Sequence, residues 1–346
     1  MLSRERLLQA LSFQPPDVIP LQIHPSPGGL YEHGGKLLDL MKRCGHDFGD
    51  LDGWALPEPP PPQDYDPDGH YHAFKRDEWG TTWEYRLFGI WGHPVAWPLN
   101  DLSNLRNWAP PAPAPCEGPE FDAAKAAADA HRRKYFLIGY GGSLFEKMYS
   151  LRRFEDVLMD IQMDTPEINQ IADKLMENTQ ANVRRALALE VDAVFFGDDF
   201  GTQKALLLPP EVWRRFFKPR YKTLFEPVRK AGKHVFFHSC GSIGKLLEDF
   251  SEIGVTGIWP QLTAFEPAEL AKHCRELGIA LQLHPDRGDL MQRNTPAEVR
   301  SGVRKLLDIF DASHGGSWLY IEIDPGFPFE NAQALIETAM ELRKQV

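Results

Sequence analysis

The chain has 346 residues, 42% of them hydrophobic and 25% charged, with a formal net charge of −11. That length buries a large core without staples; it is long for one ordinary domain but usual for an α/β barrel with insertions. An acidic chain with no basic block lacks the electrostatic footprint of a protein that binds nucleic acid or an anionic membrane.

The opening MLSRERLLQALSF reads as an amphipathic helix rather than a signal peptide, because it has no apolar h-region. No run approaches the length of a membrane span. Cys44, Cys116, Cys240 and Cys274 show no framework spacing, so a reduced, cytoplasmic protein is expected. Strand-like runs follow at 18–23, 134–142, 191–199, 233–240, 254–261, 278–286 and 316–326, with helical patterns between them. Thr165-Pro166-Glu167 predicts an N-cap, a proline at the first helical position and an acidic first turn. Cys274 shares a helical face with Leu270, Ala271 and Leu277 and is expected in the core.

Alternating strands and helices, with strands apolar on both faces, predict a parallel sheet. Seven strands are legible, and the poorly patterned 60–120 region could hide another. The expectation is one (β/α)8 TIM barrel spanning residues 1–346, with 57–119 as an insertion. Its Pro-rich ends, 57–69 and 109–119, read as rigid surface connections. The Trp/Gly-rich stretch between them, including Trp79, Trp83 and Trp91, predicts a hairpin or flap over the barrel mouth. GYGGS at 139–143 lacks the third glycine of a dinucleotide fingerprint.

In a barrel of this kind the active site sits at the C-terminal ends of the strands. Those ends supply Gln22 and His24, Tyr140, the pair Asp198-Asp199 with Gln203 just beyond, His238 and Cys240, Gln261, His284, and Glu322 and Asp324. His24, Asp198, His238, Gln261, His284 and Glu322 are expected to line one cavity. His238 and Cys240 are two apart, so they face the same side of a strand. An imidazole and a thiolate suit Zn²⁺, which needs three or four ligands. The spacing equally fits a histidine bonded to a neighbour beside a small buried cysteine. Asp198 and Asp199 are adjacent and point to opposite faces; one should enter the cavity and the other bind loop backbone.

The stretch DDFGTQKALLLPPEVWRRFFKPRYKTLFEPVRKAGKHVFFHSCGSIGKLLEDFSEIGVTGIWPQ resembles the uroporphyrinogen decarboxylase superfamily. The similarity extends to NTPAEVRSGVRKLL, GFPFENAQALIE, the start RERLLQALSFQPPDVIPL and DEWGTTW. The resemblance implies one (β/α)8 barrel. The decarboxylase branch carries arginines after the first strand that bind propionates; residues 23–29 here read IHPSPGG, with none. The cobalamin-linked methyltransferase branch carries a His-X-Cys zinc motif, which His238-Ser239-Cys240 matches, plus a distant Cys. YIEIDPGFPFEN stands where that Cys is expected. The implied metal set is therefore His238 and Cys240 with a carboxylate from Glu322 or Asp324, and His284 as a further candidate. Asp198, Asp199, His24 and Gln261 are expected in catalytic roles, and Tyr140, Gln203 and Trp79 against a cofactor. The function this implies is a corrinoid-linked methyltransferase or demethylase component, using zinc, a small-molecule substrate and methyl-corrinoid on a partner corrinoid protein. Alternatives are a decarboxylase or other lyase on a different substrate, and a non-catalytic corrinoid- or tetrapyrrole-binding barrel.

Overall fold

The computed structural model describes residues 1–24 and 26–343. Seven strands form one parallel sheet: β1 Leu21–His24, β5 Ile138–Gly142, β6 Ala193–Gly197, β7 His234–Ser239, β8 Gly257–Pro260, β9 Ala280–Leu283 and β10 Ser317–Glu322. Their order is β1-β10-β9-β8-β7-β6-β5. Each lies inside one of the runs read from the sequence, except β1, which ends one residue beyond its run. Strands β2 Ala73–Arg76, β3 Thr82–Tyr85 and β4 His93–Ala96 form a separate antiparallel sheet within the insertion.

Two-sided burial explains the parallel sheet. In β7, Val235 and Phe237 face the surrounding helices, with Phe237 packed on Phe225 and Phe250. His234, Phe236 and His238 face the lumen. Phe236 stacks between Phe136 and Trp318, with ring centroids 5.8 and 5.0 Å away. With Leu7 and Leu11 of the first helix, Ser3–Leu11, these rings form a closed apolar floor. The long helix Pro166–Ala188 starts as its sequence predicts: the Thr165 hydroxyl accepts from Ile168 N and Pro166 follows. Cys274 is fully buried. Among the described residues no helix is long and apolar enough to cross a membrane.

The expected eighth strand is not formed. The region 60–120 gives the small antiparallel sheet, and among the described residues no strand of the parallel sheet fills the gap between its edges β1 and β5. Residues 46–48, between Gly45 and Gly49, bridge that gap instead. Asp47 N donates to Leu21 O at 2.8 Å, and Phe136 N donates to Asp47 O at 3.4 Å. Side chains replace the rest of the ladder: Leu21 N donates to Asp47 Oδ2 and Ile23 N to His46 Nδ1. The strand-edge groups thus find partners without a strand, as buried backbone requires.

Asp47 is 0% exposed and also receives Arg6 from the first helix and Arg343 from the C-terminal segment, the latter at 2.9 Å. Removing one member of such a buried set leaves the others' charges uncompensated. Asp47→Ala should lower unfolding free energy by roughly 3–5 kcal/mol, read as a shift of the urea midpoint. A shift worth under about 0.5 kcal/mol, the ordinary range for surface substitutions, would show that this bridge does not hold the barrel together.

Candidate metal centre

The centre is built by strand alternation and one tight loop contact. His238 and Cys240 point into the mouth at the end of β7, while Ser239 between them is fully buried and its hydroxyl accepts from Phe200 N at 3.0 Å. That bond fixes the turn carrying Asp199. Beyond it, Gly201 and Gly241 meet backbone to backbone; a Cβ on Gly241 would lie 2.2 Å from Gly201, and Gly241 has φ +78°. Glycine at both positions lets the β6 and β7 loops touch, which brings Asp199 onto Cys240: Asp199 Oδ1 accepts from Cys240 N at 2.6 Å.

Asp199, His238 and Cys240 each offer one ligand atom, and the three atoms lie within 4.8 Å of one another. His238 Nδ1 donates to Trp259 O on β8 at 2.8 Å. That bond fixes the tautomer and leaves the Nε2 lone pair facing Asp199 Oδ1 and Cys240 Sγ, each 3.5 Å away. Burial lowers the His238 pKa, so the ring is held neutral. Burial, then the Asp199 charge, pushes the Cys240 thiol up to about 12. Burial and the same charge push Glu146 up to about 7. Electron-rich atoms therefore face one another, with Arg287 the cationic side chain lining the same cavity, an arrangement a divalent cation reverses.

Other predicted residues take different places. Asp198 is 0% exposed and turned away from the mouth. It accepts from Leu144 N at 2.8 Å and Glu146 N at 2.7 Å and from the Tyr221 hydroxyl. It is the loop-binding member of the acidic pair, and Asp199 is the one that enters. Glu322 and Asp324 do not join the three-residue group; they face Arg287 at 3.9 and 3.1 Å. The carboxylate beside His238 and Cys240 is Asp199, because the β6 turn folds over β7, whereas β10 lies three strands away in the sheet. His284 shares a cavity of about 330 Å³ with His238, Cys240 and Gln261 but stays outside the ligand group. Gln261 accepts from Gly241 N and pairs with Gln203 at the rim, so both amides brace the loops. His24 lines a separate cavity in the lumen, with its Nε2 3.9 Å from Glu322. Of the six strand-end residues, His238, His284 and Gln261 line the mouth cavity, His24 the lumen cavity, Glu322 faces Arg287, and Asp198 is a buried strut.

The small sheet lies over the strandless side of the barrel. Gly89 packs on Gly28 after β1, and Phe88 meets Tyr31 edge-on. At its other end, Thr81 Oγ1 donates to Ser150 O at 2.7 Å and Trp97 Nε1 to Tyr149 O at 3.0 Å. Trp83 and Trp91 line a cavity of about 410 Å³ with Tyr140, Glu146 and Asp199. Trp79 lines a neighbouring cavity of about 410 Å³ with Tyr140 and Lys147, whose Nζ sits 4.4 Å from the indole ring. Sequence reasoning missed Glu146, Trp259, Tyr320 and Arg287. Trp259 was legible by alternation, two residues before Gln261 on the same strand face; Glu146 needed the fold, since its importance comes from Asp199.

The chain belongs to the uroporphyrinogen decarboxylase (URO-D) family, whose model matches residues 92–342. Among solved structures, a methyltransferase from Methanosarcina mazei aligns over 99% of this chain and 99% of its own, at 15% identity and TM-score 0.63, which establishes likeness of fold. A B12-independent methionine synthase from Shewanella sp. W3-18-1, in complex with selenomethionine, aligns over 81% of this chain and 76% of its own at 10% identity and TM-score 0.43. A Xanthomonas albilineans dihydropteroate synthase with 4-aminobenzoic acid aligns over 57% and 64% at 13% identity and TM-score 0.36. No curated protein matches the chain.

Asp77 organises the flap: its Oδ1 accepts from Trp79 N and Thr81 N and its Oδ2 from Trp83 Nε1. Asp77→Ala should cost roughly 2–3 kcal/mol of local stability, at about 1 kcal/mol per bond. Amide exchange should quicken across 73–96 and stay unchanged in β7 and β8. Equal acceleration everywhere would mean that the flap is not a separate unit.

Proposed function

We propose that this protein is a methyltransferase or demethylase component of a corrinoid-linked reaction. Its metal would be held by Asp199, His238 and Cys240. The observation that carries this is the convergence of three N, S and O donors around a histidine whose tautomer is already fixed. One nitrogen, one sulfur and one oxygen, with a position left open, is the donor set of catalytic zinc. The carboxylate in place of a second sulfur shifts preference towards somewhat harder ions. The bound cation would lower the pKa of a substrate heteroatom, such as a thiol, so that it is nucleophilic at neutral pH.

The protein's own groups do the remaining work. Trp259 O holds the His238 ring in the ligating orientation. The Asp198 strut fixes the helix Phe145–Leu151 and with it Glu146, whose raised pKa suits it to exchange a proton near neutrality. The flap's Trp83, 6% exposed, walls one side of the cavity beside Asp199. A corrinoid protein as partner and a cytoplasmic setting follow from the family resemblance. A polycarboxylate decarboxylase is less favoured, because Arg287 is already engaged by Asp324 and residues 23–29 supply no arginine.

Protein purified without chelator should contain about one zinc per chain, the stoichiometry of a three-ligand catalytic site. His238→Ala, Cys240→Ala and Asp199→Ala should each abolish it, while Glu322→Gln keeps it. Substoichiometric zinc that none of these variants changes would defeat the metal reading.

Zinc must also displace the Cys240 proton, held by a thiol pushed up to about 12. Below that value each unit of pH makes the thiolate about tenfold more available. Zinc affinity should therefore strengthen about tenfold per unit between about pH 6.5 and 8, with proton release on binding seen in weak buffer. A flat profile would mean that Cys240 does not ligate.

A further inference from the structure

Below the metal centre the lumen contains a cavity of about 290 Å³, built differently from the mouth. Its walls are the rings of Tyr140, Phe195, Trp259 and Tyr320 and the His24 imidazole, and two carboxamides, Gln22 and Gln282, also face it. Trp259 is shared with the metal side, where its ring lies 4.1 Å from that of His238. Tyr140, 63% exposed, is shared with the cavity under the flap. The lumen cavity thus adjoins the His238 side through Trp259 and the flap side through Tyr140.

The two amides are underused. Gln22 Oε1 accepts from Trp318 Nε1 at 3.2 Å, which leaves its NH2 group for the cavity. Gln282 is 5% exposed, and its carboxamide has no protein hydrogen bond among the described residues. Both groups face the cavity, where each hydrogen bond to an occupant's amide edge would contribute about 0.5–1.5 kcal/mol net. No Lys or Arg among the described residues lines this space, and burial lowers the pKa of His24, the titratable ring in its wall. Arg287 stands at the mouth beside Asp324, and Glu322 adds further acidity above Tyr320. An anion entering here would lose its hydration with nothing charged to replace it.

We infer that this lumen is the substrate slot and takes a neutral, planar aromatic molecule bearing an amide-like edge. The edge meets Gln22 and Gln282, the ring lies among the four aromatic side chains, and the reacting end points past Trp259 to the metal centre. Rings favour a flat occupant through stacked and edge-on contacts, and paired amides select an edge carrying both donor and acceptor. The inference rests on the methyl-transfer reading for the word substrate, but the binding it describes does not need the metal.

The test is isothermal titration calorimetry with para-methoxybenzamide, its anionic counterpart para-methoxybenzoate, and its saturated cyclohexane counterpart. The benzamide should bind, and both comparators should bind at least about tenfold more weakly. Gln282→Met and Gln22→Met should each weaken benzamide binding about tenfold with the unfolding midpoint unchanged. If either variant fails to fold, the three-ligand comparison on the parent protein decides. Dialysis against a chelator should leave benzamide binding within about twofold, as expected for independent sites. Loss of the zinc result would thus sink the metal reading and leave this one standing. No binding at the solubility limit, a benzoate that binds as well as the benzamide, or unchanged binding in a folded Gln282→Met protein would overturn it.

Discussion

A seven-stranded parallel sheet has two open edges, and the molecule depends on how Asp47 joins them. One residue's backbone and carboxylate supply the contacts that an eighth strand would make, reaching β1 on one side and the approach to β5 on the other. Arg6 and Arg343 offset the cost of burying that charge and tie both ends of the chain to the same point. The join is narrow, so the mouth is left uncovered between β1 and β5. The small antiparallel sheet lies over that side, seated on Gly28 at one end and on Tyr149 and Ser150 at the other.

With the frame closed there, the chemistry gathers on the opposite wall. The β6 and β7 loops touch through two glycines, and the contact sets a carboxylate, an imidazole and a thiol against each other. Each group alone is ordinary. Burial, and then the Asp199 charge, raises the cost of further negative charge there, seen in the upward shifts of Cys240 and Glu146. The lumen below differs in kind: neutral, aromatic and amide-edged. On the proposed reading, charge at the mouth would activate a reacting atom and the lumen beneath would recognise the rest of the molecule.

Much of this was legible before any coordinates. All seven sheet strands were visible as apolar runs, because two-sided burial leaves a strong signal. His238 and Cys240 were visible because a period of two gives them a common direction. The third ligand was sought at Glu322 and Asp324, where the family's distant cysteine suggested a replacement. The fold instead sets the Asp199 carboxylate beside His238 and Cys240 through a loop contact that no periodicity encodes. The eighth strand was expected from the count typical of the architecture; residues 46–48 are too short to carry a strand pattern.

The sequence by itself determined the strands, the helix starts, the inward direction of His238 and Cys240, and the family, since each of these is written in local spacing or in contiguous motifs. Only the tertiary structure decided which member of the Asp198-Asp199 pair enters the mouth, which carboxylate meets the thiol, and that Trp259 O orients the imidazole. Those outcomes depend on distances between segments tens of residues apart along the chain. Packing sets such distances to within an ångström, and no local pattern of residues carries them.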